Sequence, residues 1–271
     1  MFSIFSYQFM LMAFGIGALF AVASSLLSPY IVLSQQSMLA DGLAHSAFLG
    51  FTIGVLMINQ PVYLAMIIGV ISSVLITLLI KKTKLQADSA IGVVSAVAFA
   101  LGLVIISLTP GLNISIEGLM TGSILTASTS DLIIVSIITL LIGAFVLVFY
   151  RDLYQIVFDA TNTKISKRKV AFLQYLLAAF AAVLIVIGVK LVGALLISSF
   201  IIFPTVIAKQ YKRSFRSTLL IGVGISLAST FIGIYCSYYL DIPSAPTIVL
   251  FNALILLVSI LIRYTKTRRT K

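Results

Sequence analysis

Long apolar runs separated by short charged stretches dominate this sequence. About 20 apolar residues cross a bilayer as an α-helix, so most of these runs predict one transmembrane helix each. The run 42–80 is long enough for two helices, and "INQP" at 58–61 interrupts it with turn chemistry at Asn59 and Pro61. Eight intervals of at least 18 residues contain no Asp, Glu, Lys or Arg: 1–40, 42–80, 89–116, 132–150, 170–189, 191–208, 217–240 and 242–262.

The pattern therefore predicts an all-α, polytopic membrane protein that forms one transmembrane domain over residues 1–271. The predicted number of helices is nine, with eight as the alternative. The alternative arises because the stretch 170–208 is interrupted only by Lys190 and Gly193 and could hold one full and one partial span instead of two. The count matters because it decides which side of the membrane each terminus occupies. We expect nine helices, at about 8–33, 38–57, 62–80, 88–108, 131–150, 170–188, 191–208, 217–239 and 245–263.

Composition supports a membrane location. The chain is 61% hydrophobic and 9% charged, with a mean hydropathy of +1.21. A soluble domain spends about a quarter of its residues on charge, so this chain has too little polar surface to cover a globule in water. Cys236 is the only cysteine, which excludes a disulfide framework. The amino terminus lacks the basic region of a signal peptide, and we expect its apolar run to be the first span.

The basic residues fall on one side of the predicted membrane. With nine spans and a cytoplasmic carboxyl terminus, the inside loops and terminus carry 17 of the 18 Lys and Arg residues, and only Lys190 lies outside. Cytoplasmic loops of membrane proteins are enriched in Lys and Arg, so this orientation is favoured. The net charge of +11 is then a topology signal and a contact with anionic lipid, and we expect no nucleic-acid partner.

Enzymatic chemistry finds little support in the sequence. The chain has no Gly-Lys dipeptide and therefore no Gly-x-x-x-x-Gly-Lys-Ser/Thr phosphate loop, so it has no ATPase motif of its own. It has one histidine and seven acidic residues, and only Asp41 and His45 form a close pair of metal-ligand types within a helical pattern. A zinc hydrolase needs three protein ligands and a base. Transport is the better class, and we predict no resident cofactor.

Asp41 and His45 lie in the apolar stretch "SMLADGLAHSAFLG" at 37–50. Positions i and i+4 share one face of a helix, so both side chains can point into one cavity. A carboxylate and an imidazole suit zinc and tolerate manganese. Two alternatives remain open: His45 as a buried histidine bonded to Asp41 or a backbone carbonyl, and Asp41 as a first-turn residue after Ser37 that the helix dipole favours. From composition and spacing alone, we predict a polytopic transporter or channel.

Five stretches of the sequence form an ordered set: "SMLADGLAHSAFLGFTIG" (37–54), "DSAIGVVSAVAFALGLVIIS" (88–107), "GSILTASTSDL" (122–132), "VKLVGALLISSFIIFPTVIAKQYKRSFRS" (189–217) and "SYYLDIPSAPTIVL" (237–250). In this ordered set, the sequence resembles the membrane permeases of bacterial ABC importers for zinc, manganese and iron over nearly the whole chain. One departure is "LSQQS" at 33–37, where the family usually has one or two arginines.

The resemblance implies a type II ABC importer permease in the bacterial cell membrane. Such a permease pairs with a second copy of itself, with cytoplasmic ATP-binding subunits and with an extracytoplasmic metal-binding protein. Asp41 and His45 match family residues of the translocation path, where the transported ion would be zinc or manganese. The serine that follows His45, where a proline could stand, resembles zinc-type relatives more than manganese-type relatives, and iron is a further alternative.

The resemblance also implies contacts with the ATPase. In related importers, a Pro-x-x-x-Ala segment leads into a coupling helix, and Pro204, Ala208, Lys209 and Tyr211 match it here. Phe158 and Asp159 match a recurrent Phe-Asp of the family and are second candidates for ATPase contact. From the residues alone, the 204–216 segment is an ordinary basic loop.

Two other classes of function remain as alternatives. An ion-coupled secondary transporter would be expected to show an inverted repeat with paired broken helices, and neither is found. A purely structural membrane protein would leave Asp41 and His45 without a role. Gly102, Gly222 and Gly224 are interpreted as sites of close helix packing.

Overall fold

Ten α-helices and one short 3₁₀ helix make up the part of the chain that the computed structural model describes. That part comprises residues 7–57, 61–83, 85–109, 122, 124–158, 166–194, 196–211 and 213–269, and it contains no β-strand. The 3₁₀ helix is Ile124–Thr126. The α-helices are α1 Gln8–Leu33, α2 Leu39–Met57, α3 Pro61–Thr83, α4 Ala87–Leu108, α5 Thr129–Val148, α6 Tyr150–Phe158, α7 Lys167–Val192, α8 Ile197–Gln210, α9 Phe215–Leu240 and α10 Ser244–Arg269.

Eight of the described helices are long and apolar enough to cross a bilayer, so the predicted all-α membrane fold is confirmed. Their bounds follow the predicted segments closely. The difference lies at the predicted span 191–208, where α8 has only 14 residues. Helix α7 runs on to Val192 and ends at Gly193, whose φ of 100° is accessible at low cost only to glycine. The structure therefore has eight long helices and one short apolar helix in place of nine equal spans.

The chain divides into two compact units, each built from separate stretches of sequence. Unit 1 comprises Met1–Val32, Ser123–Ala144 and Ser199–Lys271, and unit 2 comprises Leu33–Gly122 and Phe145–Ser198. The single domain over residues 1–271 stays a prediction.

In unit 1, helix α9 runs antiparallel to its neighbours. Near one end of α1, Phe14 stacks on Phe231 with ring centroids 5.5 Å apart, and near the other end Tyr30 meets Phe215 edge to face at 5.4 Å. Helix α10 returns beside α9, since a side chain added at Gly233 would meet Ile248. Helices α1 and α10 therefore run in the same direction, which agrees with the nine crossings expected from the sequence.

Helices α5 and α8 run parallel to α1. On α5, Leu132 lies 3.7 Å from a Cβ placed at Gly15. Further along both helices, Thr139 donates to the carbonyl oxygen of Leu19 at 3.2 Å. On α8, Phe200 meets Phe20 edge to face at 5.6 Å, and Thr205 lies further along, beside Ser28. These directions agree with the predicted orientation, in which α1, α5, α8 and α10 run inward.

In unit 2, helix α2 packs against α3, α4 and α7, and it is buried along most of its length. A side chain added at Gly50 would meet the backbone of Ala65, so α2 and α3 touch backbone to backbone. Helix α3 in turn lies along α7, and the Lys81 ammonium lies 4.4 Å from the ring centroid of Tyr175. Small residues let these helices approach closely, as is typical of membrane proteins. This packing fixes the helix that carries Asp41 and His45.

Candidate functional site

Helix α2 has one accessible stripe on an otherwise buried surface. From Leu39 to Gly54, every residue is buried except four half-buried ones, which follow each other at intervals of four. A spacing of four keeps successive side chains on one face of an α-helix, with a slow drift around the axis. This open stripe of α2 consists of Asp41, His45, Leu49 and Ile53.

The polar half of the open stripe lies at the start of α2. Asp41 occupies the first turn, where the helix dipole favours a negative charge. His45 follows one turn later, about 6 Å further along the axis. Within the described residues, no hydrogen bond or ion pair joins Asp41 to His45 or to any other group, so a hydrogen-bonded Asp41–His45 pair is not what the structure has. Both side chains are thus available to a ligand.

An aromatic side chain of α4 holds one side of the imidazole. The rings of His45 and Phe99 lie 4.9 Å apart between centroids, with 63° between their planes. Phe48, on the next turn of α2, also lies against Phe99 at 5.0 Å. Because Phe99 of α4 lies against His45, the polar half of the stripe has an apolar wall on the α4 side.

A single copy of the chain offers few metal ligands. Within the described residues, no group of three or more His, Cys, Asp or Glu side chains lies close enough to hold an ion. Asp41 and His45 alone cannot complete the four-coordinate shell that zinc prefers. Among the described residues, one chain therefore offers two candidate ligands at this place.

The candidate coupling residues differ in accessibility. Pro204 and Ala208 are buried within α8, and Ala208 is 0% exposed. Lys209 is exposed, and Tyr211, which is 44% exposed, has its hydroxyl 3.2 Å from the Ser259 hydroxyl. The basic end of α8 is thus the accessible part of the segment.

The second candidate contact lies at the end of α6. Phe158 is 57% exposed and packs against Tyr154 with ring centroids 4.8 Å apart. Asp159 lies outside the described residues. Helix α6 is joined to α7 by an ion pair between Asp152 and Lys169, with 2.7 Å between oxygen and nitrogen.

The sequence interpretation did not find three features of the site. Leu49 and Ile53 extend the four-residue spacing of Asp41 and His45, and that spacing was a signal that could have found them. The contact of Phe99 with His45 spans two helices, and no local pattern indicates it.

The fold and site define a polytopic α-helical membrane protein with a half-buried carboxylate and imidazole on one face of a mostly buried helix. The sequence profile of the ABC 3 transport family matches residues 6–263. Because the match covers nearly the whole chain, this protein belongs to the ABC 3 transport family.

Curated relatives differ in the metal for which they are named. A probable iron transport system membrane protein of Haemophilus influenzae is 29% identical, covering 95% of this chain and 91% of that protein. A high-affinity zinc uptake system membrane protein of Buchnera aphidicola is 27% identical, covering 90% and 93%. A manganese transport system membrane protein of Halalkalibacterium halodurans is 26% identical, covering 98% and 94%.

A solved structure has the same fold. PsaBC from Streptococcus pneumoniae, determined in complex with an Fab, superposes with a TM-score of 0.82 at 22% identity, covering 95% of this chain and 92% of that chain. At this level of identity, the likeness concerns the fold alone.

Proposed function

We propose that this protein is the permease subunit of an ABC importer that moves a divalent transition metal ion across the bacterial cell membrane. The observation that carries the proposal is the open stripe of α2, on which Asp41 and His45 are half-buried and make no hydrogen bond or ion pair with the described residues. A charged group inside a membrane is costly and is usually retained for function. The ABC 3 family and the iron, zinc and manganese names of relatives support a metal as the cargo.

A homodimer supplies the ligands that one chain lacks. A two-fold axis beside the open stripe would bring two copies each of Asp41 and His45 to one ion, giving up to four ligands. The ion is cargo and has to leave again, so a site that forms between two chains and binds weakly suits transport. Neither residue would then lie in lipid, which removes the cost of burying the charge there.

Energy would come from a separate cytoplasmic ATP-binding subunit. The exposed end of α8, at Lys209 and Tyr211, is the proposed contact, and the exposed Phe158 on α6 is the second. An extracytoplasmic metal-binding protein would deliver the ion on the opposite face. The permease itself would then be non-catalytic and would hold no permanent cofactor.

Zinc is the favoured cargo, with manganese and iron as alternatives. Imidazole is a preferred zinc ligand, whereas manganese favours carboxylate and other oxygen ligands. Each chain contributes one imidazole and one carboxylate to the candidate site. The preference for zinc therefore rests on the serine after His45, where the sequence resembles the zinc-type relatives.

Reconstitution tests this function. Vesicles that contain the permease, its ATPase and its metal-binding protein should take up zinc only with ATP, and excess manganese should compete less well than excess zinc. Uptake that continues when ATP hydrolysis is blocked would instead indicate an ion-coupled secondary transporter. Absence of uptake for zinc, manganese and iron(II) in an ATP-hydrolysing complex would contradict the proposal.

A further inference from the structure

His45 lacks the hydrogen-bonded support that metal-binding histidines usually have. Such a histidine normally donates its second ring N–H to a carboxylate or carbonyl, which fixes the ring and raises its basicity. Within the described residues, His45 makes no hydrogen bond or ion pair. Its imidazole instead packs edge to face against the ring of Phe99, with 4.9 Å between ring centroids and 63° between ring planes.

Phe99 is itself held in place by a second ring. Phe48 is 6% exposed, and its centroid lies 5.0 Å from that of Phe99. Behind Phe48, α4 carries Gly102, where an added Cβ would lie 2.8 Å from Phe48 Cε1 and 3.4 Å from the Leu49 Cα. Contacts this short leave no room for a side chain at Gly102. Because glycine has none, the ring of Phe48 can pack against Phe99. We name the pair Phe48 and Phe99 the aromatic clamp.

We infer that the aromatic clamp positions the imidazole of His45 for the transported ion, with Phe99 as the positioning residue. The inference rests on the proposed function. A ring packed against Phe99 has already lost part of its rotational freedom, so less has to be lost when the ion arrives. Unlike a carboxylate partner, a phenyl ring adds no basicity to the imidazole. The clamp thus favours binding by orienting His45 and does not make its ring nitrogen a stronger base, so binding stays weak enough for an ion that has to be released.

Phe99→Leu tests the clamp, because leucine keeps an apolar side chain and removes the ring. The measurement is the zinc Kd of the purified permease–ATPase complex, by competition with a zinc-sensitive dye. Removing an outer partner of a metal ligand typically costs about 10- to 100-fold in affinity, and for a packing contact we expect about tenfold weaker binding. Phe99→Tyr keeps the ring, so its Kd should stay within about twofold of that of the unmodified complex. This change is smaller than the loss of about tenfold expected for Phe99→Leu.

Two matched controls separate positioning from general packing. Phe180 packs on Phe145 in the same unit with a centroid distance of 5.0 Å, so Phe180→Leu removes a comparable ring contact away from His45. On α4 itself, Gly102→Ala should push Phe48 into Phe99 and weaken zinc binding, whereas Gly92→Ala should not, since nothing lies within 4 Å of a Cβ at Gly92. Thermal unfolding of each complex identifies variants that have lost stability.

The outcomes distinguish this inference from the proposed function. If the unmodified complex hydrolyses ATP but takes up no zinc, manganese or iron(II), the proposed function fails and the inference with it. If His45→Leu binds and transports zinc like the unmodified complex, the transport function stands, but the role of His45 and the inference are overturned. If His45→Leu loses zinc but Phe99→Leu keeps the Kd, the inference alone is overturned. Equal losses in Phe99→Leu and Phe180→Leu, at equal thermal stability, would also overturn it. Should Phe99→Leu fail to assemble, the Gly102→Ala and Gly92→Ala pair decides.

Discussion

Ser28 on α1 and Thr205 on α8 share a hydrogen bond of 2.6 Å, although 177 residues separate them in the sequence. The Ser28 hydroxyl also bonds the carbonyl oxygen of Ile201, and both side chains are fully buried within unit 1. Buried hydroxyls without partners are costly, so this contact fixes where α8 lies along α1. Helix α8 is short and contains Pro204, which makes such an anchor more important for it than for the long helices.

Ser28→Ala should destabilise the protein by about 1 kcal/mol, because it removes the interhelical bond and leaves the Thr205 hydroxyl without this partner. Ser25→Ala is the matched control, since the Ser25 hydroxyl bonds Val22 within α1 itself. Thermal unfolding of the two variants in one detergent measures the difference. Equal stability of the two variants would show that the Ser28–Thr205 bond contributes nothing.

The chain should place its amino end outside and its carboxyl end inside, with α8 completing the crossing that follows α7. Cysteine variants labelled from either side of the membrane test this, with Cys236 first replaced. Lys82, Lys167 and Arg213 are expected inside and Asp241 outside, as the split of basic residues predicts. Labelling of Asp241 only from the cytoplasm would show that the orientation is wrong.

The sequence predicted the long helices well but not the start and length of α8, and the reason is physical. Charge-free runs indicate membrane insertion, and seven of the eight runs correspond to the eight helices of 19 residues or more, since the run 42–80 corresponds to two of them. The run 191–208 is equally apolar, but Gly193 ends α7 and the next helix starts only at Ile197. Helix α8 is about 21 Å long, against about 30 Å for the hydrocarbon core. Nonhelical backbone at membrane depth depends on cover from protein or water, which hydropathy does not report.

Lys209→Glu should weaken binding of the ATPase subunit by about tenfold or more, because like charges at an interface repel an otherwise complementary partner. Lys82→Glu is the control with the same change in charge, since Lys82 is also an exposed basic residue and lies at the end of α3. Co-purification and ATPase activity measure the effect, and thermal stability should not change for either variant. Equal binding by both variants would remove the end of α8 as the coupling contact. Ala208 is unsuitable for this test, since a larger side chain at a fully buried position would disturb unit 1.

The sequence predicted that Asp41 and His45 share one face of α2, which the structure confirms, but it did not predict what surrounds them. Their shared face could be predicted because the four-residue spacing is local. That these residues contact a metal ion stays a prediction. Phe99 could not be found, because its contact with His45 depends on how closely α4 approaches α2. The burial of Ala208 was equally hidden, since a lone alanine carries no pattern that tells an interior face from a docking face.

Leu49→Cys should react with a small water-soluble thiol reagent, because the open stripe of α2 lines the proposed ion path. Ala47→Cys should not react, since Ala47 is 0% exposed. Both variants are made without Cys236, and zinc should slow the labelling of Leu49→Cys by occupying the neighbouring site. Equal reactivity of the two cysteines would show that the stripe does not face a water-filled path.

Zinc uptake by the double variant Asp41→Asn, His45→Leu tests directly whether these two residues contact the transported ion. Uptake is measured in vesicles, together with the thermal stability of the purified complex. Asparagine keeps the size of Asp41 and leucine keeps an apolar volume at His45, and neither replaced group has a hydrogen-bond partner among the described residues. We therefore expect a stable complex, with a melting temperature near that of the unmodified protein, that has lost zinc uptake. Near-normal zinc uptake by a stable double variant would contradict the claim that these two residues contact the ion.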